Sequence, residues 1–195
     1  MPTSAKRLPP MMTVAEFLEW TGDGTGTRYE LVDGELRAQD GPSDAHGTIH
    51  SNVTYALIGH LRNSGTNCRV VVGAGVRPRV RADWNYRLPV LAVTYQPNVS
   101  GARDVPDPFL LVELLSPSNV AETWDNVRNY TTLPSVKEIV VIWTTLRKAN
   151  VLLRDKDGNW PENPVEIEDK GAVALASIGY ALPIDEIYRS THLAE

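Results

Sequence analysis

The stretch LPVLAVTYQPNVSGARDVPDPFLLVELLSPSN, from Leu88 to Asn119, decides the fold. Its two apolar runs, Val90–Tyr95 and Phe109–Leu115, predict neighbouring buried strands, because short continuous apolar runs are typical of strands covered on both faces. The second run contains one carboxylate, Glu113. An ionised carboxylate is costly to bury without a partner. Glu113 is therefore either paired or hydrated at a strand end, or part of a functional site.

The rest of the chain places helices and hairpins around these strands. Thr13 and Glu16 form a capping box for a short helix, and Asp33-Gly34 predicts a tight hairpin. The predicted elements are helix 13–20, strands 29–32 and 35–38, helix 44–63, strands 69–72 and 76–80, the two strands of the opening stretch, helix 119–131, strands 138–143 and 149–154, short strands 165–167 and 173–175, and a helical turn at 184–189. A second hairpin signal, DKDGN, predicts a returning segment around Trp160. The pattern indicates an α/β protein of the α+β type, with a mixed sheet flanked by helices.

Length and composition fit one soluble domain. The chain has 195 residues, 42% of them hydrophobic and 22% charged, which is ordinary for a globular domain. We expect one domain at 13–190 with tails at 1–12 and 191–195. The N-terminal segment lacks the apolar region of a secretory signal, and no apolar run approaches the ~20 residues that span a bilayer. Cys68 is the only cysteine, which excludes an intrachain disulfide. Together these features predict a cytoplasmic protein.

The charge is unevenly distributed. The formal net charge is −5, whereas nucleic-acid-binding proteins usually have a basic excess. Between residues 69 and 103, however, the only acidic residue is Asp83, and six arginines are present: Arg69, Arg77, Arg79, Arg81, Arg87 and Arg103. Such a basic segment can contact phosphate; the alternative is a set of hydrated arginines along strand edges.

Several motifs occur in a characteristic order. They are YELVDGEL at 29–36, HGTIHSN at 46–52, YRLPVLAV at 86–93, LLVELLSPS at 110–118, YTTLPSVKEIVVI at 130–142, and DEIY at 185–188 after a late hairpin with a tryptophan. In these motifs the chain resembles the Uma-two family of restriction-endonuclease-like proteins, within the PD-(D/E)XK nuclease superfamily, over about residues 13–190. The resemblance implies a restriction-endonuclease-like core, DNA as the substrate, no membrane partner, and a homodimer.

The resemblance also implies which residues form the catalytic site. Glu113 takes the position of the metal ligand, and Glu30 that of an auxiliary carboxylate. The cofactor would be Mg²⁺ or Mn²⁺. Such an ion promotes phosphodiester hydrolysis by polarising the phosphate and acidifying a bound water. Two motif positions are altered: the family's aspartate is Val90 and its lysine is Asn126. Neither replacement carries a charge, so another group would have to compensate; Asp107, Asp83 and Arg128 are the candidates.

The substrate-binding residues are predicted to be Arg79, Arg87 and His46. His46 and His50 are four residues apart on one helix face, which matches the spacing of zinc ligands. No third ligand lies at a recognisable spacing, so a structural or substrate-facing role is favoured.

Two functions follow from these assignments. The first is a metal-dependent DNA endonuclease with a partly degenerate active site. The second is a catalytically inactive nuclease-fold module that binds DNA or protein. A structural homodimer without a nucleic-acid role is a third possibility.

Overall fold

The computed structural model describes residues 11–39, 41–73 and 75–194. Most of the predicted N-terminal tail, 1–12, therefore lies outside the described residues. Of the predicted C-terminal tail, 191–195, only the last residue does. The helices are α1 Val14–Glu19, α2 Asp44–Asn63, α3 Val120–Tyr130 and α4 Ile184–Tyr188, with a 3₁₀ turn at Ala176–Ile178. The strands are β1 Tyr29–Val32, β2 Glu35–Ala38, β3 Arg69–Val72, β4 Leu91–Thr94, β5 Leu110–Leu115, β6 Glu138–Trp143, β7 Lys148–Leu153, β8 Val165–Glu168, β9 Ala172–Leu175 and β10 Tyr180–Pro183.

A six-stranded mixed sheet is the centre of the fold. Its strand order is β3-β4-β5-β6-β7-β8; β5 and β6 are parallel, and the other neighbours are antiparallel. The β1–β2 and β9–β10 pairs form two separate hairpins. This confirms the predicted mixed sheet flanked by helices and hairpins. None of the described helices combines the length and apolarity needed to cross a membrane.

Helices cover the two faces of the sheet differently. The core on one face is built from α2, α4 and alternate strand residues, including Ile49, Val53, Leu57, Leu110, Val112 and Leu114. The core on the other face contains Val127 and Tyr130 of α3 together with Leu111 and Leu115 of β5. Because strand side chains alternate, Glu113 lies on the same face as Leu111 and Leu115, which α3 covers.

The register of β4 and β5 ends one residue before position 90. Leu91 pairs with Val112, and Ala92 with Leu111. Val90 comes directly before β4, and its partly buried side chain packs against the core on the α2 face. Two neighbouring buried strands were predicted here, and the structure confirms them.

Two predicted strands are wrong. Residues 76–80 form no strand: Val76 makes a single bridge to Arg87, and Pro78, which has no amide hydrogen, cannot continue a ladder. The segment around Trp160 is not the strand that returns along β7. That strand is β8, because Pro161 and Pro164 remove two backbone donors from the earlier segment.

Gly75 allows the chain to cross closely beside Tyr86. The Tyr86 side chain is buried, and its hydroxyl donates to the Arg103 carbonyl over 2.6 Å. A Cβ atom on Gly75 would lie 2.0 Å from Tyr86 Cζ, so the buried ring or the backbone would have to move.

We expect Gly75→Ala to lower the free energy of unfolding by about 1–3 kcal/mol, because overpacking forces such movements. Gly59→Ala is the matched control: Gly59 is inside α2, and an added Cβ there meets nothing within 4 Å. It should raise stability slightly, since glycine disfavours helix interiors. Urea denaturation measures both changes. Equal midpoints for Gly75→Ala and the wild type would contradict the prediction.

Candidate functional site

Two buried carboxylates converge on one amide group on the α3 face of the sheet. Glu113 lies on β5, Glu30 on β1 and Asn126 on α3, and all three are buried. Asn126 Nδ2 donates to Glu30 Oε1 over 3.1 Å and lies 3.4 Å from Glu113 Oε1. Together with Arg37 and Tyr130, these residues form what we call the carboxylate cluster.

The β1–β2 hairpin positions Glu30. Its two-residue turn, Asp33-Gly34, has both residues at positive φ, which suits the right-handed twist of the strands. The resulting register pairs Glu30 with Arg37. Directly opposite residues of an antiparallel pair share a face. The hairpin therefore places a carboxylate and a guanidinium side by side.

Arg37 is one residue of this site that the sequence reasoning missed. Its Nη2 and Nε atoms lie 2.5 and 3.2 Å from Glu30 Oε2. The same Nη2 donates to Asn126 Oδ1 over 2.6 Å. A usable signal was present: once Asp33-Gly34 is taken as a two-residue turn, counting outward pairs position 30 with position 37.

Glu113 has a strongly perturbed acidity. The side chain is buried, and this burial, together with the charge of Glu30, raises the pKa of Glu113 to about 8. Hydrogen bonds from Tyr130 and Asn126 act in the opposite direction; the Tyr130 hydroxyl lies only 2.6 Å from Glu113 Oε1. Glu113 is therefore protonated at neutral pH in the folded chain.

A second ion pair borders the cluster. Arg87, only 2% exposed, donates through Nη2 to Asp125 Oδ2 over 3.1 Å. Its Nε and Nη1 are buried without a hydrogen-bond partner among the described residues. Burial lowers the pKa of Arg87. Asp125, which also lies 3.9 Å from Arg37, is a second residue that sequence reasoning missed.

Comparison with protein families gives a match over most of the chain. The Uma2 profile, described as "Putative restriction endonuclease", matches residues 14–184. The chain belongs to the Uma2 family. This confirms the resemblance noted in the sequence.

The fold of this Uma2 member also resembles a solved structure. That structure is a protein from Anabaena variabilis ATCC 29413, described as "a putative nuclease belonging to DUF820". The TM-score is 0.71 at 15% sequence identity, covering 91% of this chain and 97% of the other. At this identity the likeness concerns the fold. No curated protein matches the sequence.

Restriction-endonuclease-like proteins generally use divalent metals, so the fit of a metal to this Uma2 site can be tested. Mg²⁺ requires near-octahedral oxygen ligation. Glu30 Oε2 is engaged by Arg37, and Glu30 Oε1 accepts from the Leu88 amide over 2.8 Å as well as from Asn126. Glu113 Oε1 accepts from the Tyr130 hydroxyl over 2.6 Å, and Val90 has no ligating atom.

No group of three or more His, Cys, Asp or Glu side chains in the described part of the chain could hold a metal ion. The residues present therefore do not fit a divalent cation.

The three residues considered as replacements for the altered motif positions lie away from the carboxylate cluster. Asp107 accepts from Gln96 over 3.0 Å, near the end of β4 that is remote from residue 90. Asp83 is exposed on the loop that precedes the YRLP segment. Arg128 has a 70% exposed side chain and pairs with Asp125 on the outside of α3. None of the three makes a hydrogen bond or ion pair with Glu113 or Glu30 among the described contacts.

The predicted substrate-binding residues occupy three different environments. Arg79 is exposed beside the C-terminal end of α3, where its amide donates to Thr132 Oγ1 over 2.9 Å. Arg87 is internal, as described above. His46 is partly buried near the start of α2, and burial lowers the pKa of both His46 and His50. The structure thus does not gather these three side chains into one surface, and their role remains a prediction.

Two cavities lie outside the cluster. One of about 260 Å³ is lined by Trp20, Arg28, Tyr86 and Leu88, among others, and borders the backbone that binds Glu30. The other, of about 570 Å³, lies between α3 and strands β6 and β7, and is walled by Trp124, Trp143 and Trp160.

Proposed function

We propose that this Uma2-family chain uses its nuclease fold to bind DNA and does not hydrolyse DNA through a bound metal. The observation that supports this most strongly is the contact of Arg37 with both Glu30 and Asn126. A guanidinium already lies where a cleavage site would need a cation and open carboxylate oxygens. Hydrolysis by the usual two-carboxylate route would require that contact to be broken.

DNA as the ligand is supported by the family description and by exposed cations near α3. Arg128 is in the last turn of α3, and Arg79 lies on a loop beside the C-terminal end of that helix. Arg79 makes no ion pair within the described residues. Because the chain as a whole is acidic, binding would rest on this local charge. It should therefore weaken steeply with salt.

Metal-dependent endonuclease activity is the second candidate. The observation in its favour is that Glu30 and Glu113 still converge on one point, each with its Oε1 within 3.4 Å of Asn126 Nδ2. Two carboxylates on neighbouring elements are what a nuclease site uses to hold a cation. A cation bound by these carboxylates would have to displace Arg37 from Glu30, and Glu113 would have to lose its proton.

A cleavage assay separates the two candidates. Supercoiled and linear DNA are incubated with purified protein in Mg²⁺ or Mn²⁺, with EDTA and Glu113→Ala as controls. We expect no nicking. Metal-dependent nicking that disappears in Glu113→Ala would overturn the proposal in favour of the endonuclease. Nicking that survives Glu113→Ala would exclude the carboxylate cluster as its source.

Binding is measured in parallel by fluorescence anisotropy of labelled duplex at several salt concentrations. Arg79→Ala should weaken binding and reduce the salt dependence by about one counterion. Arg62→Ala, at another exposed arginine, on α2 at the opposite face of the sheet, should change neither. Absence of binding at low salt would favour the structural homodimer, which sedimentation analysis of the same sample tests.

A further inference from the structure

We propose that the Arg37 guanidinium is the resident cation of the carboxylate cluster and fills the position in which a divalent ion would otherwise bind Glu30. This inference rests on the proposed function, because it explains how the site became closed to metal. It concerns a residue that neither the motif comparison nor the spacing of carboxylates identifies.

The contacts of Arg37 are those of a bound cation. Nη2 lies 2.5 Å from Glu30 Oε2 and 2.6 Å from Asn126 Oδ1, so one nitrogen joins two oxygens from different elements. Nη1 lies 3.9 Å from Asp125 Oδ2. Oxygens from β1 and α3 thus surround the guanidinium, as they would surround an ion.

The charges balance without a metal. Glu30 is paired with Arg37, and Asp125 with Arg87. Glu113 faces the charge of Glu30 but binds Tyr130 and Asn126, which are both neutral. A divalent ion added to this set would meet two guanidinium groups at close range. The Coulomb repulsion would be strong in a buried site.

Residue 90 is where a carboxylate would have to be restored. It comes directly before β4, one position beyond the Leu91–Val112 pair, and the valine side chain packs on the α2 face of the sheet. A carboxylate at this position would be costly to bury unpaired among apolar side chains, so we expect the Val90→Asp side chain to turn towards the polar groups around Glu113. With Arg37 still in place, the new carboxylate would supply another partner for the guanidinium rather than an open ligand set.

The test compares Mn²⁺ binding to the wild type, Val90→Asp and Val90→Asp/Arg37→Ala by titration calorimetry without DNA. We expect no saturable binding to the wild type. The double variant should bind at least tenfold more tightly than Val90→Asp alone. Equal affinities for these two variants, or no binding to a double variant that circular dichroism shows to be folded, would overturn the proposal.

Moving the positive charge to a different residue of the carboxylate cluster keeps the proposal testable if the double variant does not fold. Arg37→Ala/Asn126→Lys places an ammonium group between the two carboxylates from the α3 side. It should recover most of the melting temperature lost in Arg37→Ala. The matched control is Arg37→Ala/Asn129→Lys, which puts the same charge on α3 beside the Asp125 carbonyl. Equal recovery by the control, or none by Asn126→Lys, would overturn the proposal.

The two proposals fail separately. DNA cleavage by the wild type would contradict the proposed function. The Mn²⁺ titrations compare variants in the absence of DNA, so they report on Arg37 alone.

Discussion

Glu113→Gln should remove a dependence of stability on pH that the wild type shows between pH 4.5 and about 8, the ordinary and the folded-state pKa of this carboxyl. In this window the folded chain holds the proton and the unfolded chain releases it. The unfolded state binds fewer protons, so stability falls as pH rises. The slope approaches about 1.4 kcal/mol per pH unit. Above pH 8 both states are ionised and the slope ends.

Urea denaturation of both proteins at half-unit steps from pH 5 to pH 9 measures this effect. The wild type should lose stability relative to Glu113→Gln by several kcal/mol across the window. Tyr130→Phe gives a second check. Because the Tyr130 hydrogen bond lowers the pKa of Glu113, removing it should extend the slope to higher pH. A difference between wild type and Glu113→Gln that stays constant with pH would show that Glu113 is ionised in the fold.

Arg37→Ala should lower the free energy of unfolding by about 3–5 kcal/mol, the usual cost of removing one partner from a buried ion pair. The Glu30 side chain is 3% exposed and would be left charged with only two amide donors. Glu30→Gln should cost less. The Arg37 side chain is 25% exposed, so it can reach water or turn towards Asp125.

A double-mutant cycle with Glu30→Gln/Arg37→Ala measures the coupling between the two side chains. The double variant should be more stable than Arg37→Ala alone, because no unpaired charge remains buried. Arg189→Ala serves as the comparison: Arg189 pairs with Glu186 at the surface, where such a pair contributes about 0–1 kcal/mol. Equal losses for Arg37→Ala and Arg189→Ala would contradict a buried ion pair at Glu30.

The parts of the fold that local chemistry determines were predictable from the sequence. The Asp33-Gly34 turn defines its own hairpin, and the four-residue repeat that begins at Ile49 defines α2 with its Ser43 cap. The apolar runs around Glu113 became β4 and β5. In each case the residues that determine the element lie within it or beside it. Tertiary packing therefore had little influence on which secondary structure formed there.

The parts that depend on long-range packing were not predictable. Arg79 and Arg87 belong to the same run of arginines, yet one is exposed and the other is 2% exposed. The partner of Arg87 is Asp125, 38 residues away on α3, and sequence spacing does not reveal that contact. Residues 76–80 have strand-forming side chains, but Pro78 and the close passage beside Tyr86 exclude them from the sheet. The comparison of motifs identified the altered positions Val90 and Asn126. It could not show that the positive charge of the site comes from Arg37 on a different element.

The carboxylate cluster also has a consequence for the order of folding. Its members are far apart along the chain: 89 residues separate Arg37 from Asn126, and 96 separate Glu30 from Asn126. Contacts of such long range close large loops and are costly to form early. The cluster should therefore assemble after the folding transition state, with φ-values near zero. Substitutions in it would then accelerate unfolding and leave the refolding rate almost unchanged, so the kinetic lifetime of the native state depends on a site that contributes little to reaching it.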